Sequence, residues 1–188
     1  MQRAAFIQAK RRFNSAMKAL DRLVNATDLG SFEEAWSDFI VAAHGVYLKL
    51  EIGAKGHPKS EPWFGRKVRE RKKDPLLRYI HAARNTDTHG LEHGIAYRTT
   101  TEFKSVAPTP VMVDGKRAWR VEISPEKITA QSTEAILTPV TDTLHKDTFD
   151  PPTMHLGQPI NDPDPIRIAG LASVYLLNLL NEAEGRVA

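Results

Sequence analysis

The stretch Asp74-Pro75-Leu76-Leu77-Arg78-Tyr79-Ile80-His81-Ala82-Ala83-Arg84-Asn85-Thr86-Asp87-Thr88-His89-Gly90 decides how the chain is read. Asp74 can cap the free amides of a helix, and Pro75 fits the first helical position, where no N–H is needed. Leu76, Leu77, Ile80 and Ala83 recur at helical spacing and define a buried face. Gly90 suits the left-handed residue that ends a helix. The stretch therefore predicts a helix that runs from an apolar start into an arginine, an amide and an imidazole. At about 100° per residue, Asn85 and His89 stack four apart on one face, while Arg84 lies off to the side. His89 falls in the last turn, where unpaired carbonyls favour a protonated imidazole. Arg84 and His89 are thus candidates for anion binding and proton transfer. Arg84 with Asp87 also reads as an ordinary i,i+3 ion pair at a helix end, and pattern alone leaves the two readings open.

Upstream, Phe6, Phe13, Met17, Leu20 and Val24 keep helical spacing against a basic face, predicting an amphipathic helix from about Arg3 to Ala26. Ser31-Phe32-Glu33-Glu34 matches a capping box and opens a second helix to about Ile52, ended by Gly53. The two should form an antiparallel hairpin, with Trp36 and Tyr47 packed in the core or on a dimer face. Ala54 to Lys73, with two prolines and two glycines, reads as a linker. It ends in a run basic at six of eight positions: Arg66, Lys67, Arg69, Arg71, Lys72 and Lys73. That run is either a solvated charge cluster or a phosphate-contacting patch, with Trp63-Phe64 just upstream as a possible base stacker.

Downstream of Gly94 the character changes. Tyr97 to Phe103 is β-prone, and Val111 to Ile123 reads as a hairpin around Asp114-Gly115. Thr129 to Leu144 is weaker strand material broken by Pro139, and Lys146 to Pro165 is a proline- and aspartate-rich loop. Asp164-Pro165 repeats the helix-start signal, and a final helix to about Glu182 is apolar far round its circumference. It should be buried between neighbours or in a dimer interface. The expected architecture is mainly α (α+β): a single domain over residues 1–188, built as a four-helix bundle with a β-rich antiparallel insert over 95–145 before the last helix.

At 188 residues, 41% hydrophobic and 26% charged, the chain has the composition of an ordinary globular domain with a real core. A net charge of +3 and a pI near 9.2 tolerate a polyanionic partner without demanding one. Cysteine is absent, which excludes disulfides, thiolate metal sites and cysteine nucleophiles. No apolar run approaches membrane-spanning length, and Lys10-Arg11-Arg12 follows the N-terminus too soon for a signal peptide. A cytoplasmic protein with no membrane partner is the default expectation.

The segment Arg84-Asn85-Thr86-Asp87-Thr88-His89 resembles the Arg-polar-x3-His signature of the HEPN superfamily (higher eukaryotes and prokaryotes nucleotide-binding domains). Its setting is similar too: two long helices, a helix carrying the motif, and a last helix. Residues Asp74 to Gly94 also resemble a group of uncharacterised bacterial proteins. The resemblance covers the helices and not the β-insert. It implies a helical bundle that dimerises with its motifs juxtaposed, and a metal-independent endoribonuclease, toxin- or defence-like, with a possible antitoxin partner. Arg84 would then bind the scissile phosphate, Asn85 would orient the histidine or the phosphate, and His89 would act as general acid or base. Attack by the ribose 2′-hydroxyl would leave 2′,3′-cyclic phosphate ends, with no cofactor and no metal. The basic residues from Arg66 to Lys73 would contact RNA.

Two other readings compete. His89 and His93, with Glu92 or Asp87, have metal-ligand spacing, but Gly90 and Gly94 interrupt the helix such a site needs. The remaining histidines, His44, His57, His81, His145 and His155, look scattered, and Met154-His155-Leu156-Gly157 reads as a surface loop. A non-catalytic RNA- or nucleotide-binding or dimeric interaction module is the second alternative. ATP-dependent transfer has no support, since there is no P-loop pattern and no carboxylate pair suited to two-metal work.

Overall fold

The structure, a computed structural model, describes residues 1–89, 94–103, 109–120, 128–142 and 146–187, with backbone alone at 88, 89, 103, 109, 128 and 129. The chain divides into two compact units, Met1–Ala96 with Ile136–Ala188, and Tyr97–Ala135. The first unit holds five helices and the candidate site, and the second is a β excursion.

Helices α1 (Arg3–Val24) and α2 (Leu29–Ala54) form the expected antiparallel hairpin, and Gln2 N–H donates to the Gly53 carbonyl at 2.9 Å. Gly53 does not end α2. A Cβ there would stand 2.6 Å from the Ala5 Cβ, so the missing side chain lets the two helices close. The N-cap is Asp28, not Ser31: its carboxylate accepts from the Ser31 N–H at 2.8 Å and from the Ser31 hydroxyl at 2.9 Å. An ionised acceptor satisfies the free amides and favours the positive end of the helix dipole.

The supposed linker is largely a helix, α3 (Glu61–Lys73), so the described residues contain five helices where four were expected. Pro62 falls in the first turn, where proline is favourable. The cost of Gly65, about 1 kcal/mol, is outweighed by burial of Trp63 and Phe64. Those two rings are therefore unavailable as base stackers. Phe64 packs on Tyr47 with centroids 4.9 Å apart, and Trp63 Nε1 donates to Glu182 at 2.8 Å.

Helix α4 (Pro75–His89) carries the motif and packs on α2, on α3, on the final helix and on short strands between residues 140 and 155. Leu76, Tyr79, Ala82 and Ala83 are buried, as is the Asp74 carboxylate that starts the helix. Asp74 Oδ1 accepts from the Leu77 N–H at 2.9 Å and from His155 Nδ1 at 3.0 Å, and Oδ2 accepts from the Leu156 N–H at 2.6 Å. The His155 loop is thus no free surface loop. It closes over the start of α4, and His155 meets Tyr175 edge to face.

In the excursion, β1 (Ile95–Phe103) pairs with β4 (Ile128–Leu137), with Thr99 bonded to Thr133 and Arg98 paired with Glu134. Strands β2 (Thr109–Val113) and β3 (Lys116–Arg120) form the expected hairpin, Val113 opposite Lys116. Asp114 and Gly115 both have positive φ (49° and 74°), as a two-residue turn of the right twist requires. Residues 121–123, read as the end of that hairpin, lie outside the described residues.

The returning chain is tied to α4. Tyr79 Oη donates to the Thr138 carbonyl at 2.7 Å and lies 3.2 Å from the Gly94 carbonyl, while Thr138 N–H donates to Gly94 at 3.0 Å. Val140 is then fully buried, and β5 (Val140–Thr141) pairs with β6 (Thr148–Phe149). The short β7 (Met154–His155) and β8 (Gln158–Pro159) precede α5 (Pro165–Glu184), which is capped by Asp164 and packs on α1, α2 and α4. Trp36 and Tyr47 are core residues. No helix among the described residues is long and apolar enough to cross a membrane.

Asp74→Ala removes the cap and strands two further donors in a buried setting, so it should destabilise the protein by about 3 kcal/mol. Asp164→Ala removes an exposed cap, and about 1 kcal/mol is expected. Urea midpoints of the two variants check the ranking; equal losses would remove the special role of Asp74.

Candidate functional site

The histidines that looked scattered are not all so. Helices α2 and α4 run antiparallel, with Ser37 donating to Asp87 at 2.7 Å near one end of the contact. Two turns along, His44 and His81 stack with centroids 5.5 Å apart and ring planes 29° apart. On α4, His81, Arg84 and Asn85 fall at i, i+3 and i+4, so one face carries the imidazole, the guanidinium and the amide.

Burial pushes His44 down from 6.5 to about 4, helped by the charges of Arg84, His81 and Arg71. His81 is pushed to about 4 by burial and by Arg71 and Arg84, against the opposing pull of Asp142. Both rings are therefore neutral at physiological pH, beside fixed cations. The Asn85 amide oxygen accepts from Arg84 at 3.2 Å, and Asp87 accepts from Ser37. His89 closes α4, but its side chain lies outside the described residues, as do residues 90–93 and the metal-ligand spacing proposed through His93. Among the described residues no group of three His, Asp or Glu side chains is arranged to hold a metal ion.

Helix α3 splits the basic run by its geometry. Arg66, Arg69, Lys72 and Lys73 are exposed. Lys67 turns inward, 2.8 Å from Glu182 and 3.6 Å from Glu70. Arg71 is half-buried, its guanidinium 4.3 Å from the centroid of the Tyr47 ring. With His44, Tyr47, His81 and Tyr175, Arg71 lines a small pocket of about 40 Å³ whose remaining walls are apolar. The Tyr47 hydroxyl and His81 Nδ1 are buried and have no hydrogen-bond partner among the described residues.

Arg71 and His81 also border a wider cleft of about 540 Å³, completed by Lys72, Arg78, Asp142, Asp147 and Phe149. No family model, curated protein or solved structure matches the chain. The histidine pair was missed because His44 and His81 lie far apart in sequence, and neither carries a local motif.

Because both imidazoles are depressed in the folded state and ordinary when unfolded, the unfolded chain binds more protons between pH 6.5 and about 4. Stability should fall as the pH drops through that window, and His81→Asn should flatten the dependence. Urea midpoints at pH 7, 6, 5 and 4 test this. Identical slopes in wild type and variant would show that His81 is not the group responsible.

Proposed function

We propose that the protein is a metal-independent endoribonuclease of HEPN type. In this reading Arg84 binds the scissile phosphate and stabilises its developing charge, Asn85 holds the guanidinium, and His89 transfers the proton. The ribose 2′-oxygen bonds to phosphorus as the bond to the 5′-oxygen breaks, leaving a 2′,3′-cyclic phosphate and a 5′-hydroxyl. What supports the reading is geometry: Arg84 lies one turn from His81 on the face of α4 that meets His44, which sets a permanent cation beside two half-buried imidazoles. The exposed Arg66, Arg69, Lys72 and Lys73 supply contacts to the RNA backbone. A homodimer juxtaposing two α4 helices would make the site composite, and a toxin or defence role would add an antitoxin partner.

The second reading, a non-catalytic RNA- or nucleotide-binding module, is favoured by the depression of His44 and His81. Neither offers a proton to a leaving group at pH 7, which leaves His89 as the proposed donor.

RNA incubated with purified protein in excess EDTA should yield cyclic-phosphate ends. Arg84→Ala and His89→Ala should each lower the rate by about 100-fold or more. Alanine at the four exposed basic positions should weaken RNA binding and flatten its salt dependence. Binding without cleavage would establish the module instead, and cleavage undiminished in both single variants would reject the assigned residues.

A further inference from the structure

The wide cleft shares only Lys72 with the RNA contacts proposed above, and its two arginines have no part in them. Its cations come from the end of α3 (Arg71 and Lys72) and the middle of α4 (Arg78), and Asp142, Asp147 and Phe149 of the returning chain complete it. Some basic side chains of the first unit pair with carboxylates, as Arg22 does with Asp38, Lys67 with Glu182 and Arg167 with Asp164. Among the described residues Arg71, Lys72 and Arg78 form no ion pair, although two carboxylates border the same cleft.

The two guanidinium groups are held by aromatic rings instead. Arg71 lies over Tyr47 at 4.3 Å and Arg78 over Phe149 at 4.8 Å. Stacking fixes a planar guanidinium without neutralising it and leaves its N–H edge able to donate in the fork geometry that suits phosphate oxygens. Two positioned arginines and a lysine at one cleft make a site for a compact anion of high charge density. Asp147, exposed at the rim, sets a limit on that anion. A carboxylate repels a long polyphosphate but accepts hydrogen bonds from hydroxyl groups. The volume falls in the range of small-molecule sites and exceeds what inorganic phosphate fills.

We propose that this cleft binds a phosphate monoester on a small hydroxylated carrier, a sugar phosphate, with Arg71, Arg78 and Lys72 on the phosphate and Asp147 on the carrier hydroxyls. His81 forms part of the same wall, faced by His44 from α2, Arg71 from α3, Arg84 on its own helix and Asp142 from the returning chain. A dianion seated in the cleft adds negative charge beside this ring and draws a proton to it. The site stands whether or not the protein cleaves RNA.

The test is calorimetric titration of the full chain with ribose 5-phosphate, ribose and inorganic phosphate. Ribose 5-phosphate should bind, inorganic phosphate more weakly and ribose not at all. Arg78 is exposed, so Arg78→Ala should fold normally and weaken ribose 5-phosphate binding by about tenfold or more. Lys55→Ala, elsewhere on the surface, should leave binding unchanged. Asp147→Asn should narrow the gap between ribose 5-phosphate and inorganic phosphate. In NMR titrations the His81 midpoint should rise from about 4 on saturation with ribose 5-phosphate. Absence of binding at millimolar ligand, or equal losses in Arg78→Ala and Lys55→Ala, would overturn the proposal. Equal affinity for ribose 5-phosphate and inorganic phosphate would overturn the assignment of the carrier.

Discussion

Two hydroxyls on one buried helix face the chain that returns from the β excursion, and the first unit depends on them. Burying Val140 beside α4 removes water from the neighbouring carbonyls, and each would be left unsatisfied at a cost of about 1–3 kcal/mol. Tyr79 Oη meets the carbonyls of Thr138 and Gly94, and the Thr86 hydroxyl donates at 2.9 Å to that of Thr141. Gly94 sits at φ 68°, with the Val140 side chain close against it, so exit and re-entry points fit tightly together. This tie sets where Asp142, Asp147 and Phe149 come to lie, and hence one wall of the cleft.

The electrostatics of the site follow from the same packing. Helices α2, α3 and α4 converge on a region where burial disfavours charge, and the titratable groups respond according to type. The imidazoles of His44 and His81 give up their protons, because neutral rings stack without the desolvation cost of a buried cation. Arginine has no such escape, since its guanidinium stays charged at any physiological pH. Arg71 instead spreads its charge over the face of Tyr47, and burial in turn pushes the Tyr47 hydroxyl above its ordinary range. The result is a surface with fixed positive potential and uncharged imidazoles behind it.

Much of the helical plan was legible in residues that act locally. Asp74-Pro75 and Asp164-Pro165 start helices because capping and a fixed φ act within a single turn, and Asp114-Gly115 turns a hairpin for the same reason. The segment before α4 was misread for an equally physical reason. Pro62 and Gly65 signal a break locally, but burial of Trp63 and Phe64 against Tyr47 and α5 outweighs that signal, and nothing in the local sequence announces it. The basic run was visible as a charge cluster. Its division into outward Arg66, Arg69, Lys72 and Lys73 and inward Lys67 and Arg71 required knowing which face of α3 is covered.

The sequence by itself determined a mainly helical protein, the Asp-Pro starts of α4 and α5, the hairpin turn, and the placing of Arg84 and Asn85 on the helix that begins at Pro75. Each of these rests on interactions spanning a few residues, whose geometry the backbone imposes. Only the tertiary structure decided that His44 meets His81, that Asp74 holds the His155 loop, and that Arg71 and Arg78 stand over aromatic rings at one cleft. These contacts join residues from separate elements, brought together by burial of apolar faces. Burial is non-directional and leaves no local mark on the polar residues it carries into contact.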